Sequence, residues 1–585
     1  MRYGHCSLLY TVAKHAHQSA LTGPELCGWP ALWFKLRHLS LPFDLVAPVR
    51  LINVAESAAK LRTEGFIVSA KQGAIVIDDE ADLVRHIESF IDDVGGDIVA
   101  RVIFNALYFE PRFGRYRLIR NVGMGHGQRS PTVPIGYVLN LAARSMGQNT
   151  EAPFNASESD ILQKIRRMLE LATWYVATKD VEPYSYLERM LFRPSEIFTL
   201  LHQIITYDEV FLFPQMAPKH VLEVIGGAFV EFSDEECRRS WGGTPSEVAH
   251  VCRQILDIAT NTRGPYIFPR PKPDDTPMCA DVIARFIHVG RPNREYRYPS
   301  NYPDLLERPL LDRKNEELMI PDVHWCGPAF YEAMAQSLRD SHVEHVDTRI
   351  GPGVEHMIHQ ALRRRGIRFA SGEYQNSYLA RTLECDCVIE TEQMILIVEI
   401  KKRSLAPSSR RGNDMSLLFD LCAGLLKSQV QALRHEIQFR REGRIEFVDG
   451  TVVNAGNRDY ENISITLTEY GTLHDRESAQ QFLRTALTCD FGVPDSVASS
   501  PMVKEIEDLQ RKLRDCVGEL ARLEAPQPDV FFTSAFLSVP QVLILLDDVK
   551  DANGLASAFL STRHTSTGTG DFLFDYAFDQ EIRGA

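Results

Sequence analysis

Residues Glu384 to Arg403 read Glu-Cys-Asp-Cys-Val-Ile-Glu-Thr-Glu-Gln-Met-Ile-Leu-Ile-Val-Glu-Ile-Lys-Lys-Arg and hold Asp386, Glu399 and Lys401 inside two runs with strand character. Strands turn apolar faces toward a core, so two carboxylates and an ammonium group at the end of such a run are costly to bury unpaired. Side chains alternate along a strand, so Ile395, Ile397, Glu399 and Lys401 share one face, and Met394, Leu396, Val398 and Ile400 share the other. If Glu392 and Gln393 form a hairpin tip, opposed residues have a constant sum and Asp386 stands across from Glu399. Glu-Gln is not a favoured two-residue turn. A four-residue loop would keep the parity and offset the pair, and an odd loop would break it.

Two carboxylates converging on one spot suit a hard divalent cation such as Mg²⁺ or Mn²⁺, which takes oxygen ligands and, for Mg²⁺, keeps several waters. The neighbouring ammonium can orient or deprotonate a water, or neutralise charge developing on phosphate. These are the parts of metal-assisted phosphodiester hydrolysis.

Asp386, a short hairpin and then Glu399-Ile400-Lys401 resembles the PD-(D/E)XK nuclease superfamily. Its restriction-endonuclease-like core runs helix, three strands, helix, fourth strand. The flanks follow that order over about Ile350 to Leu467, near a fifth of the chain. Gly351-Pro352-Gly353 precedes an apolar stripe of Val354, Met357, Ile358, Ala361 and Leu362, which predicts a helix stopping at Gly366. Ile367 to Tyr374 reads as the first strand and Tyr378 to Lys401 as the hairpin. Asn413 or Asp414 can cap a long helix to about Arg441, and Ile463 to Leu467 offers the fourth strand. Where the superfamily name has proline before the first aspartate, this chain has Cys385.

The resemblance implies that Glu355, Asp386 and Glu399 hold the metal, that Lys401 positions water or stabilises charge on phosphorus, and that Gln429 orients the site from the second helix. It implies DNA as the usual substrate, with RNA open, and roles in restriction, phage defence or repair. The competing class is a catalytically inactive nuclease-like module that binds nucleic acid or serves assembly. The sequence thus predicts a multidomain α/β (mixed α+β) protein with an αβββαβ core in its C-terminal half and mainly helical and mixed accessory domains before it.

The net charge of −14 argues against nonspecific polyanion binding by the whole surface. From Gly351 to Gly450, however, there are 15 Lys plus Arg against 13 Asp plus Glu. The basic residues cluster, and Lys402, Arg403, Arg410 and Arg411 are the expected nucleic-acid contacts. Arg363 to Arg365 sit where cations favour a helix C-terminus anyway. Eleven cysteines without a Cys-x-x-Cys pair suggest reduced thiols. Cys385 and Cys387 are expected together on the face opposite Asp386, as core. Met1 to Leu21 lacks a signal peptide's continuous apolar stretch and no run reaches the length of a membrane span, so a soluble cytoplasmic protein is expected.

Five segments are expected. Residues 1–150 read as a mixed α/β domain with short strands at Gly65 to Ser69 and Ala74 to Asp78. Residues 151–262 read as mainly helical, with stripes beginning at Ile161 and at Ile197. Residues 263–328 are proline-rich and read as a linker, 329–475 as the nuclease-like domain, and 476–585 as an α/β extension. Within the extension, 502–523 carries a stripe of Ile506, Leu509, Leu513, Val517 and Leu520. It suits packing on the protein's own core, or else a dimerising coiled coil. Homo-oligomers or partner proteins could therefore use that helix or the N-terminal domains. Gly123 to Gly127 and Thr565 to Gly570 lack the Gly-Lys-Ser/Thr ending of a P-loop. Without one, Asp547-Asp548 after an apolar strand at Val542 to Leu546 supports no nucleotide hydrolysis.

Overall fold

A computed structural model describes residues 47–71, 74–118, 130–148, 157–184, 196–259, 262–272, 277–314, 316–492, 500–523 and 529–584. The Met1 to Leu21 segment and the Gly123 to Gly127 loop lie outside them. The architecture is mixed α+β, and no helix among the described residues is long and apolar enough to cross a membrane.

Near the N-terminus, Val68–Lys71 and Ala74–Ile77 form the expected short strands as an antiparallel pair, with Val68 opposite Ile77. The stripe starting at Ile161 folds as helix Glu158–Ala177, whose Ser157 and Asp160 make a reciprocal capping box. Helix Ile197–Phe211 carries the next stripe.

The proline-rich stretch is not a bare connection. Tyr266–Pro269, Leu311–Arg313 and Glu317–Ile320 form a three-stranded antiparallel sheet, and Pro277–Phe286 is a helix. Proline composition misleads here because the prolines stand where a missing N–H costs least. Pro269 ends an edge strand and Pro277 opens a helix. Between them Val282, Leu310, Leu318 and Ile320 enter a core that extends from Phe113 to Tyr576.

The main sheet is approached by helix α1 (Pro218–Ala228) and helix α2 (Val346–Arg364). It comprises β1 (Ala370–Asn376), β2 (Arg381–Glu390) and β3 (Met394–Lys401), followed by helices α3 (Asp414–Leu421) and α4 (Lys427–Glu442) and by β4 (Asp459–Thr466). Helix α5 (Pro501–Arg522) then leads to β5 (Ser534–Ser538) and helix α6 (Val539–Asp548). The strand order is β5-β4-β3-β2-β1, antiparallel from β1 to β3 and parallel from β3 through β5. The sheet therefore takes its fifth strand from the segment expected to be a separate extension.

Asn413 caps α3 as expected, accepting from Ser416 N–H at 2.9 Å. One π-helical turn, Cys422–Leu426, joins α3 to α4, and Gly443 ends α4 in the left-handed region. Helix α5 buries Val503, Ile506, Leu509, Leu513, Cys516 and Leu520 within the chain, so its stripe packs on the protein's own core. Val542 to Leu546 is helical rather than a strand. Ser538 and Gln541 form a capping box and Pro540 occupies the first turn, and these start signals decide a short apolar run that either structure could bury.

Helix α2 also begins earlier than expected, with Pro352 inside it. The Gly-Pro-Gly stretch serves a helix crossing instead of a helix start. A side chain at Gly353 would begin 2.4 Å from the Ala228 carbonyl oxygen, and one at Gly227 would begin 2.5 Å from Met357 Cβ. Gly353→Ala is therefore expected to destabilise the protein by about 2 kcal/mol through overpacking. Urea denaturation measures this, and a change near zero would contradict the close crossing.

Candidate active site

The hairpin tip is Glu392-Gln393. Thr391 compensates for the unfavoured turn pair: its N–H donates to the Met394 carbonyl at 3.0 Å and its hydroxyl oxygen accepts from Met394 N–H at 3.1 Å. Ile395 lies opposite Glu390 and Val398 opposite Cys387. The regular pairing ends there, one step short of Asp386 and Glu399, which meet instead through the Lys401 ammonium. Ile395 and Ile397 then pack with Ala432 and Phe439 of α4, while Leu396 and Val398 join Val354 and Ile358 of α2.

β2 departs from simple alternation at the site itself. Ala370 pairs with Val388 but Gly372 pairs with Cys385, so β2 carries one extra residue there, a β-bulge. The bulge reverses the parity upstream of it. Cys387 stays in the α2-side core, whereas Cys385 joins the α4-side core beside Ile397. The two cysteines therefore do not share a face as expected. Asp386 sits in the irregularity, and its Oδ2 accepts from Ile400 N–H at 2.7 Å. His359 of α2 holds the bulge from behind, with Nε2 2.8 Å from the Asp386 carbonyl oxygen and its ring stacked on Phe369.

Lys401 bridges the two carboxylates, its Nζ 3.1 Å from Glu399 Oε2 and 3.3 Å from Asp386 Oδ2. Glu399 is wholly buried. Its Oε1 lies 2.9 Å from His435 Nε2, and His435 Nδ1 lies 2.6 Å from the Tyr374 hydroxyl, 3.1 Å from Asn376 Nδ2. One assignment of hydrogens satisfies every member. The Asn376 amide donates to Tyr374, whose O–H donates to Nδ1, and Nε2–H donates to the Glu399 carboxylate.

Burial opposes ionisation of Glu399, but Lys401 and His435 outweigh it and hold its pKa below the ordinary carboxylate value. Burial likewise opposes charge on Lys401, and Glu399 with Asp386 overrides it, raising the ammonium pKa. Asp386 is pushed up to about 6 by burial and by the Glu399 charge. Glu355, on α2, is pushed up to about 7 by burial and then by Asp386. Glu355 and Asp386 are thus each disfavoured as carboxylates by burial and by a neighbouring negative charge, although among the described residues the oxygens of Glu355, Asp386 and Glu399 do not all lie within 4.8 Å of one another.

Raised folded-state pKa values favour the protonated forms, so the stability they contribute is present below the unfolded value near pH 4. It is lost as pH rises through about 6 to 7. In EDTA the wild type is expected to melt progressively lower from pH 5 to 8, with a flatter profile for Glu355→Gln/Asp386→Asn. Mn²⁺ is expected to restore the melting temperature above pH 7. Thermal melts across that range check both.

Cys385, Glu399 and His435 also place three buried ligand atoms within 4.8 Å of one another. Both nitrogens of His435 are engaged, however, and burial pushes the Cys385 thiol well up, so the thiolate a metal needs is disfavoured. That trio fits a closed hydrogen-bonded network better than a metal.

Gln429 is not brought to the carboxylates. Its Nε2 donates to the Asn462 carbonyl at 3.1 Å and to Ser464 Oγ at 2.9 Å, and its Oε1 accepts from Ser534 Oγ at 2.9 Å. It ties α4 to β4 and β5. The α4 residue over β3 is His435, on the stripe Ala432, His435 and Phe439, an unexpected polar residue at helical spacing that could have been found in the sequence.

The four expected nucleic-acid contacts are largely occupied. Arg403 pairs with Asp420 at 3.0 Å and covers Phe419. Half-buried Arg410 faces Glu209 and Glu332, Arg411 lies 4.9 Å from the Tyr302 ring centre, and Lys402 sits beside Asp347. Clustering in sequence did not mean a shared surface, because Arg410 turns into the interior. Comparison with family models, with curated proteins and with solved structures yields no match.

Proposed function

We propose that this chain is a metal-dependent nuclease hydrolysing phosphodiester bonds in DNA. The observation that carries the reading is Lys401 bridging Asp386 and Glu399 at 3.3 and 3.1 Å on one end of the sheet. The order α2, β1, β2, β3, α4, β4, with the first three strands antiparallel and β4 parallel to β3, supports a PD-(D/E)XK-type core.

Glu355, Asp386 and Glu399 would hold Mg²⁺ or Mn²⁺, which when bound supplies polarisation of the phosphate and a lower pKa for water. Lys401, kept charged by its two carboxylates, directs a compact positive charge to the position where charge develops on phosphate oxygens. His435 holds Glu399 ionised and in one orientation through Nε2, and Tyr374 fixes the ring. The bulge, tethered by His359, turns Asp386 toward Lys401.

Incubation with plasmid, linear duplex, single-stranded DNA and RNA in Mg²⁺, Mn²⁺ or EDTA tests the reading. Cleavage of DNA in either metal and none in EDTA is expected. Binding without cleavage under every metal would favour the inactive nucleic-acid-binding module.

A further inference from the structure

We propose that the groove between the β1–β2 turn and α5 carries the phosphodiester backbone of the substrate away from the cutting site, an inference that rests on the nuclease reading above. The groove has a volume of about 290 Å³, and its walls include Tyr378, Arg381, Arg434, Arg511, Lys512 and Asp515. Four cations thus stand against Asp515 in the lining and Asp508 beside it on α5, a local excess of positive charge on a chain whose net charge is −14. That local reversal of sign is what a phosphate backbone would select.

The cations are available for exchange. Arg511 and Lys512 both pair with Asp508 on their own helix, and the Arg511 side chain is 69% exposed. Exposed pairs of this kind are worth at most about 0.5 kcal/mol, so a phosphate can displace Asp508. Arg434 comes from α4, one residue before His435, and its buried Nε has no hydrogen-bond acceptor. Tyr378 lines the groove, its ring half-buried against the core and covered by the Arg441 guanidinium 5.3 Å from its centre, which adds a further cation beside the lining.

The position also fits. Arg381 opens β2, whose pairing with β3 runs only to Cys387 opposite Val398, so Arg381 lies on the part of β2 beyond that pairing, on the same strand as Asp386. Five residues of strand separate Arg381 from Asp386, roughly 16 Å. Along a duplex axis that span corresponds to about five base-pair steps at roughly 3.4 Å each. The groove would therefore hold phosphates several steps from the scissile bond, a role separate from that of the carboxylates.

The test uses the full chain carrying Glu399→Gln, so that binding is read without cutting, with fluorescent 20-nucleotide single-stranded and duplex DNA titrated over a range of NaCl. Adding Arg381→Glu, Arg511→Glu and Lys512→Glu is expected to weaken binding at least tenfold. The slope of log K against log salt should fall by about 2 to 3, one contact per cation removed. The Arg381→Gln/Arg511→Gln/Lys512→Gln variant, which adds no repulsion, should move the slope in the same direction with an unchanged melting temperature. In the otherwise wild-type chain the glutamine triple should still cut a four-nucleotide substrate too short to reach the groove. Binding with an unchanged slope in both triples would overturn the groove while leaving the nuclease reading intact. A changed slope in a protein that never cuts would keep the groove and remove the nuclease. Absence of any nucleic-acid binding would overturn both.

Discussion

Glu399→Gln is expected to lower metal-dependent cleavage by at least about 10³-fold, the scale on which removal of one preorganised polar group at a reacting centre acts. The change is nearly isosteric, and its amide oxygen can still accept from His435 Nε2, so the fold around the site should survive. What is lost is one charge of the proposed metal site and one of the two anions that hold Lys401 charged and in place. Glu399 is fully enclosed, so removing its charge removes a desolvation cost but leaves the Lys401 ammonium with Asp386 as its remaining anion, and a loss of stability is expected beside the loss of cleavage, which thermal melts of the variant measure. Initial rates of plasmid cleavage, beside DNA binding as a control, measure it. A variant that cuts within tenfold of wild type would place the chemistry elsewhere.

His435→Ala is expected to destabilise the protein by about 3 kcal/mol, because it removes a partner of a buried charge and leaves the Tyr374 hydroxyl without its acceptor. Affinity for Mn²⁺ and the cleavage rate should also fall, by about 10- to 100-fold, as when the outer partner of a metal-binding carboxylate is deleted. His435→Gln separates the two effects. An amide N–H placed near the original Nε2 should recover metal affinity more than stability, since it does not restore the acceptor for Tyr374. Urea denaturation and Mn²⁺ titration read both quantities. If His435→Ala leaves both unchanged, the chain of hydrogen bonds from Tyr374 to Glu399 has no role in the site.

The core of this site was legible because strand periodicity is rigid. Once Glu392-Gln393 is the tip, a constant sum holds as far as Cys387 opposite Val398 and so brings Asp386 and Glu399 to the same end of the hairpin, where Lys401, two residues along the same strand face as Glu399, meets both. The bulge was not legible. It is a mismatch between β2 and β1, and only the pairing of Gly372 with Cys385 exposes it. It moved Cys385 to the Glu399 side against simple parity. Helix α4 shows a related limit. Gln429 and His435 are both polar residues on an otherwise apolar helix, and which one reaches Glu399 depends on which strand each face meets. Gln429 meets β4 and β5, and His435 meets β3.

Long-range packing explains the remaining differences. Residues 263–328 look like linker by composition, yet a few apolar residues at spaced positions suffice when the core they enter is supplied by segments hundreds of residues away. Gly351-Pro352-Gly353 looks like a helix start, yet the need for α1 to approach closely explains its small residues inside α2. Val542 to Leu546 is apolar on every side, so no period distinguishes helix from strand, and the capping box before it decides.

Metal binding by the carboxylates is tested most directly by an anomalous difference map from crystals of the full chain equilibrated with Mn²⁺ above pH 7. One strong peak is expected within oxygen-ligand distance of Glu355, Asp386 and Glu399, absent from Glu399→Gln crystals treated in the same way. A peak at Cys385, Glu399 and His435 instead, or none near Asp386, would contradict it.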